Sequence, residues 1–99
     1  MASVKDLKKD IDVLMSLVLN DCFSVLEYNE KVDEEAVLKI AADVIRKHRE
    51  LRVRAKHPDG KKNPELVKKY YNQLISDSLK EADAALQKLS DEVKKVAAA

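Results

Sequence analysis

The sequence predicts an all-α protein, an antiparallel bundle of three long helices. Charged residues make up 37% of the 99 residues and hydrophobic residues 45%, a balance typical of helices with one charged face. Apolar residues recur at intervals of three and four along most of the chain, which is the period of an amphipathic helix. One glycine and two prolines leave few tight turns, and this argues against a sheet fold. We expect a single domain over residues 1–99.

The first helix is predicted to begin at a Ser3 cap and to end near Tyr28. Between residues 13 and 26 it is apolar nearly all round, whereas a helix that faces only a core needs one apolar stripe. We therefore expect this helix to be the most buried of the three, or to carry a contact surface for another chain.

The second helix is predicted to follow a short turn at residues 29–33. Asp33 is placed to cap it, and Glu34 and Glu35 lie in the first turn, where the helix dipole favours negative charge. A connection this short makes the first two helices antiparallel neighbours. The apolar seam of the second helix runs through Val37, Ala41, Val44, His48, Leu51 and Ala55.

The third helix is predicted to run from Pro64 toward Val96. It follows a turn at residues 57–60, and Asn63 before Pro64 is a strong helix start. Ser78, followed three residues later by Glu81, is placed to cap a new start, so the helix is either extended or bent near Ser78. Its heptad-like seam consists of Ile75, Leu79, Ala82, Leu86, Leu89, Val93 and Val96.

The predicted helices differ in length, at roughly 39, 33 and 48 Å for a rise of about 1.5 Å per residue. We expect the last two or three turns of the third helix to overhang the bundle with an apolar stripe that needs cover. Either the helix folds back, or a homodimer or a helical protein partner covers the stripe. The predicted partner interface is Leu17, Phe23, Leu79, Leu86, Leu89, Val93 and Val96.

Charge is segregated along the chain. Residues 46–69 hold ten basic and three acidic residues, a local charge of +7, while the remainder carries −6. An alternative function is therefore binding of nucleic acid or another polyanion, with Tyr70 and Tyr71 offering stacking faces. It is not favoured, because the whole chain has a pI near 7.8. The residues for this alternative are Arg46, Arg49, Arg52, Arg54, Lys56, Lys61 and Lys62.

Catalytic and metal motifs are absent from the sequence. One cysteine and two histidines do not supply a zinc set, and the residues three before His48 and His57 are Ile45 and Arg54 instead of the Glu of a carboxylate-bridged site. Cys22 is interpreted as a small core residue with a raised thiol pKa. We expect a non-enzymatic protein without cofactor, metal or small-molecule substrate.

The compartment is predicted from cysteine usage and hydropathy. A single cysteine cannot form an internal disulfide, which fits a reducing, cytoplasmic setting. Asp6, Asp10 and Asp12 precede the most apolar segment, contrary to the basic start of a signal peptide. No run reaches the roughly 18 to 20 apolar residues of a spanning helix, so we expect a soluble protein without membrane contact.

The tripeptide His57-Pro58-Asp59 resembles the one that J-domain cochaperones carry between two antiparallel helices, where it implies stimulation of a chaperone ATPase. The resemblance covers this tripeptide and its helix-loop-helix setting. The positions just before it are Arg and Lys here, instead of aromatic and Leu residues, and a much longer first helix replaces the short helix of that family. We assign the chain to no family on this basis.

Overall fold

The computed structural model describes residues 4–56 and 63–97. These residues form three α-helices: α1, Val4–Tyr28; α2, Glu34–Lys56; and α3, Pro64–Ala97. The described part of the chain contains no strand. The predicted all-α fold of three long helices is confirmed.

Two of the predicted helix caps are present. The Asp33 carboxylate accepts a hydrogen bond from the Ala36 amide at 3.2 Å, and the Asn63 side-chain oxygen accepts one from the Glu65 amide at 3.0 Å. Each bond satisfies an amide that has no partner within its own helix. The predicted Ser3 cap and the turn at residues 57–60, including His57-Pro58-Asp59, lie outside the described residues.

The helices run up, down and up. Lys47 contacts Glu81, whereas Arg54, further along α2, contacts Asp77, which is earlier in α3. Residue numbers therefore rise along α2 as they fall along α3, so these helices are antiparallel. Residues 7–14 of α1 line one groove with residues 75–79 of α3, whereas Met15 lines another pocket with Ala84 and Ala85, so residue numbers rise together and α1 and α3 are parallel.

The core lies along the axis of the bundle and draws on all three helices. Leu74 is fully buried, as are Val37 and Cys22. Burial raises the pKa of the Cys22 thiol, and the neighbouring Asp21 carboxylate adds to the effect. Cys22 is thus a small core residue, as predicted. The buried apolar residues of α1 are Leu7, Ile11, Met15, Val18 and Cys22.

The third helix is continuous over its 34 residues, which correspond to about 51 Å of helix. The molecule is 55 Å long, so α3 spans nearly its whole length. Ser78 caps no new start: its side chain is buried, and its hydroxyl donates to the Leu74 carbonyl at 2.7 Å within the helix. The extended alternative is correct, and the fold-back is wrong.

The expected overhang of the last turns of α3 is wrong. Leu89 is only 5% exposed and belongs to the core, while Val93 and Val96 are half-buried. The other end of α3 projects instead. Arg54 lies opposite Asp77, and α2 ends at Lys56, two residues after Arg54. The end of α2 is therefore near the level of residue 75 of α3, and residues 64–70 of α3 extend past that end. Helix lengths alone do not fix the axial register on which the overhang depends.

Leu74→Ala is expected to lower the free energy of unfolding by about 2–5 kcal/mol, because it leaves a cavity where the side chain is fully buried. The matched control is Leu66→Ala on the projecting end of the same helix, where the side chain is exposed and the loss stays below about 0.5 kcal/mol. Urea denaturation followed by far-ultraviolet circular dichroism measures both. Equal losses would contradict the assigned core.

Candidate interaction surfaces

The predicted partner-interface residues do not share one face of the molecule. Leu17, Leu79 and Leu86 lie along the junction of α1 and α3, whereas Phe23 lies on the opposite flank of α1, beside α2. Leu89 is part of the chain's own core, which leaves it little surface for a partner. The exposed members of the predicted interface therefore lie on two separate surfaces, each of which includes residues of α1.

The first surface is a groove between α1 and α3, called here the α1–α3 groove. It has a volume of about 230 Å³ and opens to solvent. Its floor and walls are Leu7, Asp10, Ile11, Leu14, Ile75, Ser78 and Leu79. Sequence reasoning placed Leu14 and Ile75 in apolar seams but did not assign them to a contact surface, because pairing across two helices depends on their register.

Exposed leucines extend the α1–α3 groove along its length. Leu17 is 58% exposed and Leu79 is 55% exposed, values that leave most of each side chain in water. Leu86 follows Leu79 by seven residues, two turns further along the same face of α3. Leu79 thus lines the groove, and helical spacing places Leu17 and Leu86 further along the same two helices.

The margin of the α1–α3 groove is acidic. Asp10 lines the groove itself, and Asp21 follows Leu17 by four residues on the same side of α1. Asp83 lies between Leu79 and Leu86 on α3 and is exposed. Asp10 is thus the one charged residue among those that line the groove, and Asp21 and Asp83 follow beyond it on α1 and α3.

The second surface lies on the other side of α1, where it adjoins α2. Asp12 and His48 face each other, with 2.6 Å between a carboxylate oxygen and Nε2. Eleven residues further along α1 is Phe23, and ten residues back along α2 is Leu38, so these two lie at one level of the bundle. Each is 51% exposed. Ile45 is exposed on the same flank of α2. The sequence analysis assigned neither Leu38 nor Ile45 to a contact surface.

Several basic side chains in the second half of α2 form ion pairs with carboxylates of α1 or α3. The Asp12 carboxylate contacts both His48 and, at 3.7 Å, Arg52. Arg54 donates to Asp77 at 2.9 Å, and Lys47 donates to Glu81. The hydrogen bond from Gln73 and the charge of Arg54 hold the pKa of the Asp77 carboxyl below its usual value, while the bond to Glu81 raises the pKa of Lys47.

The basic residues predicted for polyanion binding differ in whether they already form ion pairs within the chain. Arg46 pairs with Asp43, and Arg52 and Arg54 pair with carboxylates of the neighbouring helices. Arg49 and Lys56 are exposed, and neither forms an ion pair within the described residues. Lys61 and Lys62 lie outside the described residues.

The two tyrosines in the early part of α3 form a small aromatic cluster. Tyr70 and Tyr71 meet edge to face with ring centroids 6.1 Å apart, and the Arg54 guanidinium lies 5.9 Å from the Tyr70 centroid. Tyr71 packs against the core. The cluster thus closes the end of the core on one side and leaves one half-buried ring, Tyr70, near Arg54.

Charge divides between the two halves of the bundle. The half where α2 ends, residues 4–15, 45–56 and 63–80, has twelve basic and six acidic residues, a net charge of +6. The other half, residues 16–44 and 81–97, has five basic and eleven acidic residues, a net charge of −6. The described chain therefore has one basic and one acidic end.

Further searches of the described residues add no other type of site. No three His, Cys, Asp or Glu side chains in residues 4–56 and 63–97 come together as metal ligands. No helix of this part of the chain is long and apolar enough to cross a membrane. Comparison with protein-family models, with curated proteins and with solved structures gave no match. The two exposed apolar surfaces are therefore the candidate functional sites of the described residues.

Asp77→Asn is expected to lower the free energy of unfolding at pH 7 by up to about 1 kcal/mol, the range of a surface ion pair. The folded state holds the pKa of this carboxyl below its ordinary 3.8, so its contribution is complete above that value and is lost as pH falls through the folded pKa. The difference between wild type and variant should therefore shrink as pH falls below 3.8 and on through the folded pKa.

Urea denaturation at a series of pH values measures this difference. The control is Asp83→Asn, since Asp83 is exposed and forms no ion pair among the described residues. A difference between wild type and Asp77→Asn that persists unchanged at pH 2 would show that the effect does not arise from the charge.

Proposed function

We propose that this protein is a non-enzymatic interaction module that binds an amphipathic helix of a protein partner in the α1–α3 groove. The observation that carries the proposal is the groove itself, an open apolar channel whose marginal residues Leu17 and Leu79 are both more than half exposed. Apolar surface of this kind, gathered in one place, is typical of a binding site.

A helix fits the shape of the α1–α3 groove. Two parallel helices form its walls, and a third helix packs into such a channel by inserting side chains spaced three and four residues apart. The apolar wall of α3 runs over the 12 residues from Ile75 to Leu86, whose ends are about 16 Å apart along the helix. This length accommodates about three turns of a partner helix.

The carboxylates of this margin favour basic residues beside them on the partner helix, although the groove itself lies in the half of the bundle whose net charge is +6. Asp10, Asp21 and Asp83 would lie beside the flanks of a helix seated in the α1–α3 groove. Lysine or arginine on those flanks gains from the opposite charge, whereas glutamate is repelled. The expected ligand is therefore a helix with one apolar stripe and basic residues on either side of it.

The cytoplasm is the compartment that we propose for this activity. Cys22 is the single cysteine of the chain and is buried in the core as a free thiol. A protein with one buried thiol and no disulfide depends on no oxidising environment. This supports a reducing location.

A synthetic 18-residue helix with a leucine stripe flanked by lysines is expected to bind at least about tenfold more tightly than one with the same stripe flanked by glutamates, because only the first complements the acidic margin. Leu79→Glu should weaken binding of the lysine peptide by at least about tenfold, since it places a charge in the apolar site. Fluorescence anisotropy of the labelled peptides measures both.

The matched control is Val53→Glu, because Val53 on the outer face of α2 is 57% exposed and lies away from the groove. It should leave peptide affinity unchanged. Equal binding of the two peptides would overturn the proposed partner chemistry. Unchanged binding by a folded Leu79→Glu variant would overturn the site.

Binding of nucleic acid or another polyanion is a second candidate, supported by the net charge of +6 on one half and by the exposed, unpaired Arg49 and Lys56. It predicts that a labelled single-stranded RNA binds at low salt, that binding weakens as salt rises, and that Arg49→Glu with Lys56→Glu abolishes it. RNA binding that is absent or independent of salt would remove this candidate.

A further inference from the structure

One flank of α2 carries four exposed residues in a symmetric pattern. Glu34, Leu38, Ile45 and Arg49 are separated by four, seven and four residues, intervals that keep them on one side of a helix. The order along the helix is acidic, apolar, apolar and basic. Read from Arg49 back to Glu34, the intervals are the same, and the basic residue stands where the acidic one stood.

Such a pattern is self-complementary across a two-fold axis. When two copies of α2 lie antiparallel with the axis midway between Leu38 and Ile45, Leu38 of each copy meets Ile45 of the other. The same axis brings Glu34 of each copy opposite Arg49 of the other. Every contact then occurs twice, as a closed two-fold interface requires.

The charged members of the pattern are available for a partner. All four arginines of the chain lie in α2, and Arg49 alone among them has no carboxylate within 4.0 Å in the described residues. Glu34 is exposed and likewise forms no ion pair there. The other arginines already pair with carboxylates of this chain, which leaves Arg49 and Glu34 available on this flank for a second copy.

The larger charge distribution favours the same orientation. An antiparallel pairing brings the half with net charge +6 beside the partner's half with net charge −6, whereas a parallel pairing would align like charges. Phe23, half exposed at the level of Leu38 on the adjoining helix, extends the apolar centre of the surface.

We propose that a second copy of this chain docks antiparallel on this flank of α2, with Leu38 against Ile45 and Glu34 against Arg49 in both halves of the interface. The proposal goes beyond helix binding in the α1–α3 groove, because that groove lies on the other side of α1. A dimer of this kind leaves both grooves open, so it presents two helix-binding sites to a partner.

Sedimentation equilibrium of the full chain from 1 μM to 1 mM tests the pairing. Arg49→Glu alone and Glu34→Arg alone should each weaken the dimer by at least about fivefold, because each places two like-charge pairs in the interface. The double variant restores opposite charges in exchanged positions and should return the dissociation constant to within about threefold of wild type. Circular dichroism checks that each variant is folded.

Ile45→Glu should abolish the dimer, whereas Leu79→Glu in the α1–α3 groove should leave it intact. A monomer at 1 mM, or a double variant no better than the single ones, would overturn the proposal. Loss of the dimer in Leu79→Glu alone would place the second copy in the groove and would also overturn it. Peptide binding in the groove is measured separately, so either proposal can fail without the other.

Discussion

The bundle depends on the apolar surface of α1, which is larger than its two neighbours can cover. Leu7, Ile11, Met15, Val18 and Cys22 are buried between α2 and α3 and supply a large share of the core. The apolar residues on either side of this stripe remain partly or largely exposed, including Leu17 toward α3 and Phe23 toward α2. Both candidate surfaces are flanks of this one helix, completed on one side by α3 and on the other by α2.

Electrostatic contacts set how the helices are aligned along the axis. Arg54 with Asp77 and His48 with Asp12 meet only at the observed alignment of the helices, so these contacts favour it over shifted ones. Individually such exposed or half-exposed pairs contribute little free energy. Their effect is on which axial alignment of the helices forms. That alignment places Leu89 in the core and makes the first turns of α3 project.

The helices and two of their caps were predictable because these features depend on neighbouring residues. Asp33 and Asn63 act within three residues of their own positions, and the apolar periodicity of α3 defines a helix regardless of what surrounds it. The end at which α3 projects was not predictable, since it follows from contacts between residues more than twenty positions apart. Ser78 has the sequence of a cap, yet burial makes its hydroxyl bond to its own helix.

The two exposed surfaces were also only partly predictable, because they too depend on how the helices pack against one another. Sequence analysis assigned Leu17 to a contact surface because the first helix is apolar nearly all round, and Leu79 and Leu86 because the apolar stripe of the third helix was expected to need cover. It did not separate them from Phe23, since the side of α1 that each neighbour occupies is a property of the packed bundle. Nor did it find Leu38 and Ile45, whose significance depends on their exposure.

We propose that the two flanks of α1 border separate surfaces, one for a helix and one for a second copy. Methyl resonances of leucine, isoleucine and valine, recorded first across a dilution series and then with the lysine-flanked peptide, test this most directly. Dilution should shift the methyls of Leu38 and Ile45, and the peptide should shift those of Leu79 and Leu86. If one set of methyls responded to both changes, or none responded to either, the central claim would be wrong.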